Sequence, residues 1–150
     1  MRWSGLAAAE PELADAGAAL FRAFTVGYLA TLRPDGSPRI HPVTVTLHDG
    51  GLYVFTLAGS RKGEDLARDP RYALHSFPRA WSDAGWDDEE FAVGGRAAEV
   101  IDAERRAAIA AVHNDSVADG DRLFELHPER AFHKSRAAGA VVHRSWQAGR

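Results

Sequence analysis

The chain of 150 residues has no cysteine and no apolar run long enough to cross a membrane. Without cysteine it can form no disulfide, no thiolate nucleophile and no cysteine-ligated metal site. It also lacks an excess of basic residues: the formal net charge is −3, so we expect no nucleic-acid partner. Its N-terminus has no basic region followed by an apolar core, and we therefore expect a cytoplasmic protein without a membrane partner.

Two further absences limit the chemistry. The seven histidines are scattered, with no His-x-His pair and no HExxH helix, so we predict no metal site. No G-x-S-x-G elbow or Ser/His/Asp grouping indicates hydrolysis. Apolar residues make up 45% and charged residues 26% of the chain, values typical of a globular protein. With no repeat or low-complexity linker, residues 1–150 are predicted to form a single domain.

Short strand-like segments bounded by turn residues dominate the chain. We expect residues 1–9 to be loose and predict helices at 11–23, 61–68 and 103–113. Predicted strands lie at 26–32, 39–47, 52–57, 71–77, 91–101, 123–135 and 141–146. Hairpin turns such as Asp49-Gly50-Gly51 favour antiparallel pairing. Together the segments predict an α+β protein built on a small barrel.

Several strands carry irregular features. Pro42 predicts an edge or a bulge, Gly94-Gly95 a bulge, and Pro128 a break, because proline cannot donate to the ladder and glycine permits close backbone approach. The segment Tyr53–Leu57 is apolar on both faces. We therefore expect the barrel interior to cover one face and a helix or a second subunit to cover the other.

The join between the third strand and the next helix carries the clearest functional signal. In Thr56-Leu57-Ala58-Gly59-Ser60-Arg61-Lys62, Gly59 allows a tight turn and Ser60 suits a helix N-cap. Arg61 and Lys62 then fall in the first turn, where the helix dipole disfavours cations. Solvated basic residues are common at helix starts, but free backbone N–H groups beside two cations favour an anion, above all a phosphate.

The same motifs occur in a specific order along the chain. They are Gly36-Ser37-Pro38, the strand from Arg39, Tyr53-Val54-Phe55-Thr56, Gly59-Ser60-Arg61-Lys62, Asp69-Pro70-Arg71 and Val93–Glu99. This series resembles the pyridoxamine 5′-phosphate oxidase-like family of flavin- and deazaflavin-binding split β-barrels, over roughly residues 25–101. The resemblance implies a six- to seven-stranded antiparallel split β-barrel with a few flanking helices, and a homodimer with FMN at its interface.

Carried over by position, the resemblance gives each candidate residue a role. Arg61 and Lys62 would hold the flavin phosphate, Thr56 would offer a hydroxyl and Arg39 a further cation. Backbone from Pro42 to Thr44 would line the flavin ring, and His41 is the only histidine expected to approach it. The predicted cofactor-binding residues are Arg39, His41, Pro42, Val43, Thr44, Phe55, Thr56, Ser60, Arg61 and Lys62.

The function implied is an FMN-dependent oxidoreductase that acts on a small organic substrate by hydride transfer through the flavin. No catalytic side chain is predicted, because the cofactor would carry the chemistry. A deazaflavin-dependent reductase of the same fold is an alternative. A non-catalytic flavin or haem binder and a structural dimer with an empty pocket also stay open.

Three further features are left open by the sequence. Glu90 stands where the oxidase carries a glutamine that touches the cofactor, so it must point away or the cofactor must sit differently. Trp146 could stack on a flavin or pack in the core or an interface. The loop 78–90 is predicted to border the substrate opening, with Trp81 and Trp86 either stacking on a flat substrate or packing on the barrel rim.

Overall fold

The computed structural model describes residues 1–77 and 89–149. In chain order these residues form α1 (Trp3–Ala9), α2 (Pro11–Phe24), β1 (Val26–Leu32), β2 (Pro38–His48), β3 (Gly51–Thr56), α3 (Arg61–Arg68), β4 (Arg71–Ser76), β5 (Glu90–Glu99), α4 (Ala103–Ala110), β6 (Arg122–Ala137) and β7 (Ala140–Gln147). Within this part of the chain, no helix is both long and apolar enough to cross a membrane.

The strands form one antiparallel sheet that closes on itself. Their order is β3-β2-β1-β4-β5-β6-β7, and a further pairing of β3 with β6 closes the first six strands into a barrel. The seventh strand, β7, continues the sheet outside the barrel by pairing with β6. The predicted α+β split barrel is therefore confirmed.

Helices α1 and α2 pack their apolar residues into the main core. Leu6, Leu13 and Phe21 are almost fully buried there, and the Trp3 ring meets Phe91 edge-on with 5.9 Å between ring centroids. The expectation that residues 1–9 are loose is wrong. Trp3 and Leu6 are three positions apart, which places them on one helix face, and the run Ala7–Ala9 has high helix propensity.

The outer face of β3 is covered by α4. Leu52 and Val54 point into the main core, whereas Tyr53 belongs to a second buried cluster together with Ile109 of α4. Tyr53 is only 1% exposed in this single chain. A helix or a second subunit was expected to cover this face of the strand, and at Tyr53 it is the helix α4 that does so.

Proline and glycine are accommodated without ending their strands. Pro42 pairs with Tyr28 of β1, and β3 joins β2 only from Val45 onward, so Pro42 lies at an edge as predicted. The predicted bulge at Gly94-Gly95 is confirmed by a register shift there. The predicted break at Pro128 is wrong: β6 runs through Pro128, which pairs with Gly95, and a Cβ on Gly95 would lie 2.0 Å from the His127 carbonyl oxygen.

A buried carboxylate ties the N-terminus and α4 to the barrel. Glu125 of β6 is 4% exposed and accepts hydrogen bonds from Arg2 Nε at 2.8 Å and Arg105 Nη2 at 2.6 Å. Both guanidinium groups also bond to the Tyr53 hydroxyl. Burial alone would raise the pKa of Glu125, but the hydrogen-bonding groups of Arg2, His127 and Arg105 outweigh it and hold that pKa at about 2.

Candidate functional site

The turn from β3 into α3 leaves backbone donors free. Gly59 adopts a φ of +67°, which glycine tolerates and which lets the chain turn tightly after the strand. The Glu64 N–H donates to the Ser60 carbonyl at 3.1 Å, the first hydrogen bond of the helix. In the ranges 1–77 and 89–149, no acceptor is found for the N–H groups of residues 61–63. These N–H groups are therefore available to a ligand.

Two buried hydroxyl groups lie beside these free N–H groups. Thr56 Oγ1 and Ser60 Oγ are both buried and have no hydrogen-bond partner among the described residues. Gly63 packs closely against both: a Cβ there would lie 2.6 Å from Thr56 Oγ1 and 3.3 Å from Ser60 Oγ, so a larger residue would displace them. Buried polar groups without partners are uncommon in folded proteins, and here they surround a helix N-terminus. The arrangement fits a group with several hydrogen-bond acceptors.

The two basic residues of the first turn of α3 are not engaged elsewhere. Arg61 is exposed and Lys62 is half-buried, and neither makes an ion pair or a hydrogen bond with the residues that the structure describes. Arg68, at the other end of the same helix, pairs with Asp65 at 3.1 Å. Two unengaged cations, free N–H groups and two unpaired hydroxyls together fit a phosphate.

A cleft of about 220 Å³ opens next to the start of α3. Half of the predicted cofactor-binding residues line it: Pro42, Val43 and Thr44 of β2, Phe55 of β3, and Lys62. Thr56, Ser60 and Arg61 lie at the adjoining strand end and helix start, although they are not part of its lining. The structure thus brings eight of the ten predicted residues to one region.

Arg39 and His41 alternate with Ile40 and Pro42 along β2. The side chains of Arg39 and His41 therefore share one face of the strand, and those of Ile40 and Pro42 lie on the other. Arg39 Nε donates to Asp65 Oδ2 at 2.7 Å, and Thr31 Oγ1 donates to the same oxygen at 2.9 Å. Burial alone would raise the pKa of Asp65, but its hydrogen bonds from Arg39, Thr31 and Arg68 lower it. Neither Arg39 nor His41 lines the cleft, so their roles toward a cofactor stay predictions.

His41 nevertheless lies close enough to Lys62 for that positive charge to affect the pKa of His41. Burial lowers the pKa of His41, and the positive charges of Lys62 and Arg39 lower it further. Its Nε2 atom is buried and has no hydrogen-bond partner within the described ranges. The imidazole is therefore neutral near pH 7.

A third wall of the cleft comes from the connection between α4 and β6, residues 111–121. It contributes His113, Asp115, Ser116 and Asp121. No motif in the sequence marks these residues, and His41 was expected to be the one histidine at the cofactor. The only local signal is a polar segment after a short helix. Which strand this segment lies against depends on the position of α4 over β3.

Of the three features left open by the sequence, two are Glu90 and Trp146, and neither residue lines the cleft. Glu90 interacts with Lys134 Nζ at 3.3 Å and His75 Nε2 at 3.6 Å. Trp146 is partly buried against the main core and lines a second, larger cavity of about 560 Å³, with Arg130 and Phe132. None of the predicted cofactor-binding residues lines that cavity.

Trp81 and Trp86, with residues 78–88 of the loop predicted to border the substrate opening, lie outside the described residues. In the rest of the chain, apart from residue 150, no group of three or more histidine, aspartate or glutamate side chains could hold a metal ion.

The sequence matches the family model described as pyridoxamine 5′-phosphate oxidase over residues 13–135. No curated protein gives a significant sequence match. Many solved structures share the fold. A haem-binding protein from Mycobacterium smegmatis is 24% identical with a TM-score of 0.66, over 86% of this chain and 57% of that one. This chain thus spans little more than half the length of that relative.

Two further structures match over most of both chains. HutZ, the haem storage protein from Vibrio cholerae, is 18% identical with a TM-score of 0.62, over 86% of this chain and 92% of that one. A Clostridium acetobutylicum protein related to general stress protein 26 of Bacillus subtilis, described as of the pyridoxinephosphate oxidase family, is 13% identical with a TM-score of 0.62. That alignment covers 88% of this chain and 92% of that one. At these identities the likeness is one of fold.

Proposed function

The chain belongs to the pyridoxamine 5′-phosphate oxidase family, and from this premise we propose that it binds FMN beside α3 and acts as a flavin-dependent oxidoreductase on a small organic molecule. The observation that carries the proposal is the start of α3. Free N–H groups, the hydroxyls of Thr56 and Ser60, and the cations Arg61 and Lys62 meet there, and none of them has a partner in residues 1–77 and 89–149. Each of these groups complements a phosphate oxygen.

The residues of the cleft then have distinct roles. Arg61 and Lys62 neutralise the phosphate, and Thr56 and Ser60 donate hydrogen bonds to it. Pro42, Val43 and Thr44 support the ring, and Phe55 closes the apolar side of the cleft. Bound FMN supplies the hydride chemistry, and the protein supplies binding, orientation and exclusion of water.

An absorbance spectrum of the purified protein tests this proposal. We expect the two visible bands of an oxidised flavin, and release of FMN into the filtrate when the protein is denatured. Reconstitution of the apo-protein with FMN should restore the spectrum. A purified protein without flavin that also fails to take up added FMN would contradict the proposal.

A non-catalytic haem binder is the second candidate, because two solved structures of this fold are described as haem-binding or haem storage proteins. The same spectrum separates the two candidates. A Soret band on haem titration, with no uptake of FMN, would favour haem. Flavin bands without a Soret shift would favour the oxidoreductase.

The proposed cofactor site also includes a second copy of the chain. Ile40 is 67% exposed and Tyr28 is 37% exposed, and their pairings with Ala30 and Pro42 place both on the outer face of β1 and β2. Leu57, at the cleft, is 63% exposed. Large exposed apolar residues next to a ligand cleft are typical of an interface. A homodimer would cover them and close the cleft.

We predict that light scattering will give about twice the monomer mass of 16.3 kDa. Replacing Ile40 by Glu should shift the protein to the monomer, because a buried unpaired carboxylate costs several kcal/mol. Ile101→Glu is the matched control: Ile101 is 88% exposed and follows β5, and it belongs to neither β1 nor β2. A wild-type protein that is monomeric at micromolar concentration would contradict the prediction.

A further inference from the structure

The connection of residues 111–121 brings a histidine to the part of the cleft formed by β2. His113 lines the cleft together with Pro42, Val43 and Thr44. Under the proposed function, these three β2 residues lie against the cofactor ring, whereas the start of α3 holds its phosphate. Lys62 lines the same cleft, but the contacts of His113 are with Thr46 of β2 and Phe55 of β3. His113 is therefore placed beside the ring rather than in the phosphate site.

The imidazole of His113 is held from two sides. Its Nδ1 atom lies 2.7 Å from Thr46 Oγ1, within hydrogen-bond distance. Its ring meets the Phe55 ring edge-on, with 4.9 Å between centroids. Since Nδ1 is engaged by Thr46, Nε2 is the nitrogen left to meet a ligand, and no side chain in the ranges 1–77 and 89–149 bonds to it. Burial lowers the pKa of His113, with Asp115 opposing, so the ring is neutral at pH 7.

We infer that His113 is a specificity-determining contact whose Nε2 forms a hydrogen bond with the polar edge of the ligand ring. The inference rests on the proposed function, because it assumes a ligand whose phosphate occupies the start of α3. It names the ligand class more closely: a phosphorylated molecule whose other end is an uncharged heterocycle with hydrogen-bonding atoms at its edge. An apolar ring of the same size would leave Nε2 without a partner.

The charges of the cleft support an uncharged ring. Lys62 provides a cation on the α3 side, whereas the 111–121 connection contributes the carboxylates of Asp115 and Asp121. Asp115 Oδ1 accepts from the Ser116 N–H at 2.8 Å, and Oδ2 lies 3.5 Å from Thr44 Oγ1. A second anionic group on the ligand would be repelled there. A neutral ring avoids this repulsion and can still bond to His113.

The test is a titration of FMN and riboflavin into apo-protein carrying His113→Ala. Both ligands should bind about three- to tenfold more weakly, since one hydrogen bond is lost and the ring is common to both. The variant His113→Gln keeps a hydrogen-bonding group and should restore most of the affinity. The absorbance maximum of bound flavin should shift in His113→Ala and return in His113→Gln, which a general loss of packing would not produce.

Asp119→Asn is the control, because Asp119 lies on the same connection, is exposed and does not line the cleft. It should bind both flavins like wild type. If His113→Ala binds both flavins like wild type, or if His113→Gln does no better than His113→Ala, the inference is overturned while the proposed function stands. A wild-type protein that binds neither flavin overturns both.

Discussion

Replacing both Arg61 and Lys62 by Ala should weaken FMN binding by roughly a hundredfold or more. Each charge-assisted hydrogen bond to a phosphate is worth about 1.5–3 kcal/mol, and about 1.4 kcal/mol corresponds to a factor of ten. Both residues are unengaged at the start of α3, so no other part of the described fold depends on them. Their loss should leave the free energy of unfolding unchanged or slightly improved, since cations at a helix N-terminus oppose its dipole.

Riboflavin, which lacks the phosphate, should bind the double variant and the wild type equally well. Arg22→Ala/Arg96→Ala removes the same charge from two exposed positions outside the cleft and should leave FMN affinity unchanged. Fluorescence titrations of both flavins into all three apo-proteins make the measurement. If FMN affinity survives the loss of Arg61 and Lys62, the phosphate site lies elsewhere.

Replacing Glu125 by Gln should make the protein less stable at neutral pH and should flatten the dependence of its stability on pH. The pKa of Glu125 is held at about 2 in the folded chain, against an ordinary value of 4.5. Because the folded-state pKa is depressed, the stabilisation is present above about pH 5 and is lost as pH falls toward 2. This difference between the two pKa values corresponds to about 3 kcal/mol of folding stability at neutral pH.

Urea unfolding of wild type and Glu125→Gln between pH 7 and pH 3 tests this expectation. The free energies of unfolding should differ most at pH 7 and converge toward pH 3. The groups that face Glu125 are Arg2, Arg105 and His127. Glu104→Gln, at an exposed position in the first turn of α4, is the control and should follow wild type at every pH. Parallel curves for Glu125→Gln and wild type would contradict the assignment.

Elements with local signals were predicted closely. Helix α3 was predicted at residues 61–68 and found at Arg61–Arg68, because Ser60 marks its start and Asp69-Pro70 its end. The predicted strands lie within about three residues of those found, since alternating burial and turn residues are properties of short segments. The bulge at Gly94-Gly95 was predicted for the same reason.

Elements that depend on docking were predicted poorly. Helix α1 forms where residues 1–9 were expected to be loose, because much of its stability comes from burying Trp3 and Leu6 in a core made by distant strands. The apolar outer face of β3 indicated that another element covers it, but not whether that element is a helix or a second subunit. The structure shows that α4 covers Tyr53 on the outer face of β3 and leaves Ile40, on the outer face of β2, exposed.

The sequence by itself determined the strands, the turn into α3, and the meeting of Ser60, Arg61 and Lys62 at its first turn, because all of these depend on neighbours in the chain. The tertiary structure alone decided which side chains share a cleft. Packing of α3 against the barrel pairs Arg39 with Asp65, outside the cleft lining. Packing of α4 over β3 brings His113, 67 positions away in sequence, to Thr46. Contacts of this kind follow from the position of whole elements, and no short sequence pattern encodes them.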